Sequence, residues 1–418
     1  MAAQVLGYAG VDNHGLDGLE LQLDQTLSGK SGSETIVKDP FGRPIDVVRS
    51  TPVREGRNVI LTLDHTIQAQ AEMVLRQTMR QWDAKDATAI VLDPRNGDVL
   101  AMAVEPGYDA NAFGSTPAGR QRNRAVTDTY EPGSTFKVVT VAGALSSGIV
   151  TPQTAFTLPY SIRVADRVIH DAEKRGTVHY TVSQILSRSS NIGAITLAEL
   201  LGKQRLADWI QRFGFGRETG IDFPGESPGI VLPADRWSGS TIGNVPIGQG
   251  VAVTPMQMAA AYAAIANEGV WVEPHLVEGG RHQRRRMLSR PIAAQLVQML
   301  RGVIAEGGTG YLAAVPGYQV AGKTGTAQKP DAHGGYATDK YVASFVGIVP
   351  ASRPRLLVLV TVDEPHGAIF GGVVAAPAFQ QIASFDLRYL EIPPDGPTLA
   401  TPVTTGAPAT TATTTTGP

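Results

Sequence analysis

The chain has 418 residues, 42% of them hydrophobic and 18% charged, with a formal net charge of −2. That length suits two or three domains with a large core, and the near-neutral charge argues against a broadly nucleic-acid-binding surface. Cysteine is absent, which rules out a disulfide scaffold, a thiolate metal site, an iron–sulfur cluster and a cysteine nucleophile.

The first 55 residues are rich in glycine, with short alternating pieces at Val5–Gly10, Leu19–Leu23, Thr35–Lys38 and Ile45–Arg49. Asp39-Pro-Phe-Gly-Arg43 is a turn signal between the last two. The expectation is a small β-rich element, too short for a core of its own. Asn58–Leu63 alternates as a strand. Asp64 is placed to cap a helix on which Ile67, Ala71, Val74, Leu75, Met79 and Trp82 recur at helical spacing. Ala87–Leu92 and Val99–Val104 flank Asn96-Gly97, a strong hairpin signal.

From Ser134 to about Gly269 the pattern is mainly helical, with helices expected at Ser134–Leu145, Thr181–Arg188, Ile192–Leu201, Lys203–Phe213 and Pro255–Ala266. Pro291–Ala305 follows as another helix. Strands return at Tyr318–Gln328, Tyr341–Val349 and Arg355–Val362, and a helix over Val373–Leu390 closes the folded part. Strands at both ends around a helical block predict an α+β fold in which early and late strands share one antiparallel sheet. From Pro393 the sequence is Pro, Thr, Ala and Gly with almost no large apolar residue, the composition of a disordered tail. No stretch approaches 18 consecutive apolar residues, and Met1-Ala-Ala-Gln-Val5 lacks the basic and apolar regions of a signal peptide.

Three short motifs carry chemistry. In Ser134-Thr-Phe-Lys137, after Glu131-Pro-Gly133, the turn places Ser134 at a helix N-terminus, and the three-residue spacing sets Lys137 beside its hydroxyl. A serine hydroxyl is a weak nucleophile until a neighbour takes its proton, and a lysine does so only when neutral, as burial or a second cation makes it. Ser189-Ser-Asn191 lies at a junction of two helices, where a hydroxyl can pass a proton and an amide can hold a carbonyl; capping of the second helix is the simpler explanation of this motif alone. In Lys323-Thr-Gly-Thr326, on an apolar strand, Gly325 permits close approach of a ligand backbone, and Lys323 with the two threonines can bind a carboxylate. Each motif is common by itself. In this order they form the signature set of penicillin-binding proteins and serine β-lactamases, with Ser-Ser-Asn where that set reads Ser-Asp-Asn.

The sequence resembles the class B penicillin-binding proteins from about Gln4 to Leu390. Asp12-Asn-His-Gly-Leu-Asp-Gly-Leu-Glu20 is similar to their pedestal segment. Leu61-Thr-Leu-Asp64, Leu100-Ala-Met-Ala103, Phe213-Gly-Phe-Gly216, Gly248-Gln-Gly250 and Ser344-Phe-Val-Gly347 are further matches. Glu131-Pro-Gly-Ser134 and Thr219-Gly-Ile-Asp-Phe-Pro-Gly225 are closer to the division-type branch than to the elongation branch.

The resemblance implies a penicillin-binding transpeptidase fold. Its expected organisation is a partial pedestal over 1–55, a transpeptidase domain over 56–392 and a disordered tail over 393–418. It implies a peptidoglycan D,D-transpeptidase that acts at the septum and is acylated by β-lactams. Ser134 would be the nucleophile and Lys137 the general base. Ser189 would relay a proton, Asn191 would hold the donor peptide, and Lys323, Thr324, Gly325 and Thr326 would bind the terminal carboxylate. The backbone N–H groups of Ser134 and Thr326 would form the oxyanion hole. Implied partners are peptidoglycan stem peptides, β-lactam antibiotics and cell-division membrane proteins. The implied location is the outer face of the bacterial cell membrane, held by a membrane helix and a longer pedestal ahead of the residues present. No cofactor and no metal are expected, since the eight histidines show no ligand spacing. Three alternatives remain open: a β-lactamase, a carboxypeptidase that uses water as acceptor, and a non-catalytic penicillin sensor or division scaffold. Arg281-His-Gln-Arg-Arg-Arg286 has the charge to contact anionic lipid or a substrate pyrophosphate, but a solvated loop is the simpler reading. His170-Asp171 and Asp339-Lys-Tyr341 are not placed by the sequence.

Overall fold

The computed structural model describes residues 1–331 and 333–396. Five strands form the central sheet: β1 (Asp86–Leu92), β2 (Val99–Glu105), β3 (Ala321–Pro330), β4 (Tyr336–Val349) and β5 (Leu356–Asp363). Their order is β3-β4-β5-β1-β2, antiparallel throughout. Early and late strands therefore share one sheet, as the sequence predicts, through the pairing of Leu357–Asp363 with Asp86–Leu92.

Alternation along these strands explains why helices cover both faces. On β1, Ile90 and Leu92 enter one core with Met102, Val346 and Leu359, while Ala89 and Val91 enter the other with Phe345, Val358 and Val360. The second core is closed by α1 (His65–Trp82), through Ile67, Val74 and Leu75, and by the C-terminal helix, through Phe379, Ile382 and Leu387. Asp64 caps α1 as expected, its Oδ1 accepting from the amides of Thr66 and Ile67 at 2.8 and 3.0 Å. The first core holds α2 (Lys137–Ser146), α3 (Val182–Ser187), α4 (Asn191–Leu201), α5 (Lys203–Phe213), α6 (Pro255–Ala266) and α7 (Arg290–Arg301). α6 is buried along its whole length, which fits its nearly uniform Ala and Met composition. The C-terminal helix, α8 (Ala376–Tyr389), follows a separate short turn at Gly371–Val374.

Several expected elements differ. Val5–Gly10 and Leu19–Leu23 are only partly extended: Ala3–Leu6 and Gly18–Gln22 are short helices, Tyr8–Ala9 is a two-residue strand paired with Gly15–Asp17, and Val5 and Leu19 pack into the large core. Asn58–Leu63 is extended but makes only an isolated bridge from Leu61 to Val277. The expected hairpin at Thr35–Lys38 and Ile45–Arg49 is present as Ser33–Lys38 and Pro44–Thr51, exposed at every residue. The helical block also contains two small hairpins, Ala155–Leu158 with Val178–Thr181 and Ser161–Val164 with Arg167–His170. Each of these strands is four residues long, too short to register as alternation.

Pro393–Gly396, at the start of the expected disordered tail, is held in place. Asp395 Oδ1 accepts from the Gln319 amide at 2.7 Å, and the Gly396 amide donates to Gly317 O at 2.9 Å. The rest of that tail lies outside the described residues. Among the described residues no helix is long and apolar enough to cross a membrane.

Candidate active site

Ser134 stands on a 3₁₀ turn, Gly133–Phe136, that runs directly into α2. Three contacts fix this turn. Gly133 has φ 54°, a left-handed conformation suited to glycine, and its amide donates to Gly248 O at 3.1 Å. A Cβ on Gly248 would lie 2.1 Å from Gly133 O, so the Gly248-Gln-Gly250 loop can press against the turn only without a side chain. From below, the Tyr262 hydroxyl on α6 donates to Thr135 O at 2.7 Å.

One helical turn on, Lys137 points back under the serine. Its Nζ lies 3.0 Å from Ser134 Oγ, 2.5 Å from Ser189 O, 2.7 Å from Asn191 Oδ1 and 3.3 Å from Ser189 Oγ. The side chain is 1% exposed. Burial pulls its pKa down from 10.5 to about 7, against an upward pull from Asp171. The amine is therefore poised to lose its proton near neutral pH, as a base for the serine must be.

Ser189 and Asn191 reach Lys137 because the chain reverses between α3 and α4. Ser189 adopts φ 60°, a left-handed conformation costing a non-glycine residue of order 1–3 kcal/mol. Both its carbonyl and its hydroxyl then face the lysine. Ser190 turns the other way: it is buried and N-caps α4, its Oγ accepting from the Gly193 amide at 3.0 Å. The middle position of this motif is thus structural.

The strand motif closes the site from the opposite side. β3 is an edge strand, paired on one side with β4 and packed on the other against the Ser134 turn. A Cβ on Gly325 would meet Ser344 Oγ at 2.3 Å and Pro132 O at 3.1 Å, so glycine lets the turn and the strand come together. Lys323 is fully buried, and its Nζ donates to Ser189 Oγ at 2.9 Å and to Thr324 O at 3.1 Å. Burial, with Lys137 nearby, holds its pKa well below the usual lysine range. Ser189 Oγ thus sits between two amines, 3.3 Å from Lys137 and 2.9 Å from Lys323.

The structure therefore brings Ser134, Lys137, Ser189, Asn191 and Lys323 into one hydrogen-bonded cluster. Thr324 and Thr326 flank it differently. The Thr324 hydroxyl meets Thr309 Oγ1 at 2.8 Å, and Thr326 Oγ1 accepts from the Gly371 amide at 3.2 Å. The half-buried Thr326 leaves its backbone beside Gly133, whose Cβ position lies 2.9 Å from Thr326 O.

Asp171, which the sequence left unplaced, proves to be a support of the cluster. Its Oδ1 accepts from the amides of Asn191 and Ile192 at 2.5 and 3.1 Å, at the N-terminus of α4, and Ser190 Oγ donates to its Oδ2 at 3.1 Å. Arg175 pairs with it, Nε to Oδ2 at 2.9 Å. A carboxylate at a helix N-terminus is favoured by the free amides and the helix dipole. Asp171 directly follows the Ser161–His170 hairpin and lies 18 positions before Ser189, so no periodicity could signal the contact. Glu131 was also missed as a brace: it accepts from the Gly250 amide at 2.8 Å and from the Tyr336 hydroxyl at 3.0 Å. Lys340, by contrast, faces Glu364 at the outer end of β4.

Comparison with known proteins identifies the family. The family model described as penicillin-binding protein transpeptidase domain matches residues 87–384, and that of the penicillin-binding protein dimerisation domain matches residues 2–61. Penicillin-binding protein PbpB of Mycolicibacterium smegmatis is 38% identical over 96% of this chain and 66% of its own length. Peptidoglycan D,D-transpeptidase FtsI of Escherichia coli K12 is 35% identical over 94% of this chain and 67% of its own. The chain thus spans about two thirds of the length of these relatives. The apo crystal structure of penicillin-binding protein 3 from Mycobacterium tuberculosis superposes with a TM-score of 0.85 at 37% identity, covering 95% of this chain and 90% of that one; the same protein has been solved with aztreonam and with ampicillin. From its pedestal segment to its C-terminal helix, this chain belongs to the penicillin-binding protein transpeptidase family, in the class B, division-type branch.

Proposed function

We propose that the protein is a peptidoglycan D,D-transpeptidase. The observation that carries this reading is the 3.0 Å contact between Ser134 Oγ and a buried Lys137 whose pKa lies at about 7. Neutral Lys137 accepts the serine proton as Oγ attacks the carbonyl between the two D-alanines of a stem peptide. The resulting oxyanion lies against the backbone N–H groups of Ser134 and Thr326, each donor being worth of order 100- to 1000-fold in rate. The carbon–nitrogen bond then breaks. The departing amine takes a proton through Ser189 Oγ, which bridges Lys137 and Lys323, and D-alanine leaves. The amine of a second stem attacks the Ser134 ester, forming the cross-link and freeing the serine.

Lys323, Thr324 and Thr326 bind the terminal carboxylate. An arriving carboxylate favours the charged form of Lys323, which in turn favours neutral Lys137. Asn191 holds the donor peptide, Gly325 admits its backbone, and Asp171 is a positioning residue. β-lactams acylate the same serine. The chain is read as 1–55 partial pedestal, 56–392 catalytic domain and tail, working in septal wall synthesis on the outer face of the cell membrane with division proteins. The name of the Escherichia coli relative, peptidoglycan D,D-transpeptidase FtsI, supports the activity read here.

The test is a transfer assay with a D-alanyl-D-alanine stem-peptide donor and an amine acceptor. Release of D-alanine with formation of the cross-linked product, both abolished in Ser134→Ala, is expected. Release of D-alanine with water as the only acceptor would instead make the protein a carboxypeptidase.

A further inference from the structure

A concentrated positive surface lies beyond the C-terminal end of α6, sharing no residue with the acylation site. It forms where Arg284–Arg286, expected from the sequence as a solvated loop, pairs as a strand with Val270–Val272. Register places Arg285 directly opposite Trp271, and its guanidinium carbon lies over that indole, 4.7 Å from the ring centroid. Arg212, in the last turn of α5, stacks likewise on Trp209 at 4.9 Å. Arg285 Nη1 donates to Arg212 O at 2.6 Å, and Arg217 Nη2 donates to Gln211 O at 2.9 Å. Three guanidiniums therefore crowd one helix C-terminus.

A helix end carries about half a negative charge, which leaves three cations undercompensated. Arg212, Arg217 and Arg285 join none of the ion pairs among the described residues, whereas Arg290 on α7 pairs with Glu268. Of the acids near them, Asp208 accepts from Gln204, Glu226 from Thr219 and Gly220, and Glu273 from the Gln283 amide, while Glu218, next to Arg217, forms no ion pair among the described residues. Burial, and after it the charges of Arg217 and Arg212, lowers the Arg285 pKa to about 10. Arg281, Arg284 and Arg286 are exposed nearby in the chain, but strand alternation turns Arg284 and Arg286 to the face opposite Arg285.

We propose that this surface is a binding site for phosphate-ester anions, with Arg212, Arg217 and Arg285 as its direct contacts. A guanidinium held over an indole face is still able to offer N–H groups to a ligand, in the fork geometry that matches phosphate oxygens. Each of the three spends only part of its five donors on backbone carbonyls. A bound phosphate relieves the like-charge crowding, so binding and local stability reinforce each other. The site takes either the headgroup of an anionic lipid or a soluble phosphate.

The experiment measures co-sedimentation of the chain with phosphatidylglycerol-containing vesicles, against phosphatidylcholine vesicles, and calorimetric binding of inorganic pyrophosphate. Two double variants are compared, Arg217→Gln/Arg285→Gln and Arg212→Gln/Arg217→Gln. The second keeps the decision open if loss of the Arg285 cap unfolds the first, as a thermal melt would reveal. A charge-matched control is Lys38→Gln/Arg43→Gln on the distant N-terminal hairpin. Each arginine near an anionic surface is worth about fivefold, so a double variant should lose roughly 25-fold in vesicle partitioning while the control keeps it. Pyrophosphate binding that is lost in the variants identifies a soluble phosphate as a ligand; vesicle binding alone identifies the lipid headgroup. The proposal is overturned if neither probe binds the parent chain, or if the control loses as much as the variants.

Discussion

The most informative perturbation is pH, because the proposed mechanism makes one buried amine the base on which acylation depends. With a pKa of about 7, Lys137 is neutral in about three-quarters of molecules at pH 7.5; at its ordinary value of 10.5 the share would be about one in a thousand. Placement of the amine thus multiplies the population of competent base several hundredfold. At pH 5 only about 1% of molecules carry it neutral, so acylation should climb about a hundredfold between pH 5 and 9, tenfold per pH unit at first and flat above about 8. The assay is the second-order rate of labelling by a fluorescent penicillin across that range. A flat profile, or a rise centred near 10, would refute the role given to Lys137. The same burial has a cost to the fold. Because the folded pKa lies below the unfolded one, the unfolded chain binds the extra proton between about pH 7 and 10.5, so stability rises with pH through that window and the full penalty holds below it. Lys137→Met should abolish labelling while flattening that slope in urea titrations.

Asp171→Asn should lower the acylation rate at least about tenfold and destabilise the fold by roughly 1–3 kcal/mol, the scale of charge-assisted bonds lost at a buried helix end; denaturant titration and labelling kinetics measure both. If labelling persisted at the parental rate, Asp171 would have no positioning role. Gly248→Ala places a Cβ 2.1 Å from Gly133 O, so labelling of Ser134 should fall more steeply than global stability. Asp386 on α8 is fully buried, both its oxygens lack partners among the described residues, and burial raises its pKa well above the carboxylate norm. Stability should therefore decline as pH rises above about 4, where the unfolded chain ionises first. Asp386→Asn should remove that decline and be the more stable protein at pH 8 by thermal melt; equal melts at pH 8 would contradict it.

The catalytic cluster was legible because its chemistry is written in short local motifs. Ser134 and Lys137 are neighbours by helical spacing alone, and Gly325 announces a close approach. The long helices were legible through periodicity and caps: Lys203–Phe213 and Pro255–Ala266 fall at their expected bounds. What the sequence hid depends on distant pairing. Asp171 reaches the head of α4 only after a hairpin folds back, and Arg285 became part of a strand because Trp271 lies opposite it. The left-handed turn at Ser189 was also hidden, since a serine there gives no glycine signal; only the surrounding contacts hold it.

The central claim is that Ser134 is the acylated nucleophile. Mass spectrometry of the protein mixed with benzylpenicillin, followed over hours, tests it most directly. The account predicts a stable adduct of one penicillin mass on the peptide containing Ser134, absent in Ser134→Ala. A transient adduct with turnover of the drug would point to a β-lactamase instead. A folded protein that gains no adduct, or gains it on another residue, would contradict the account.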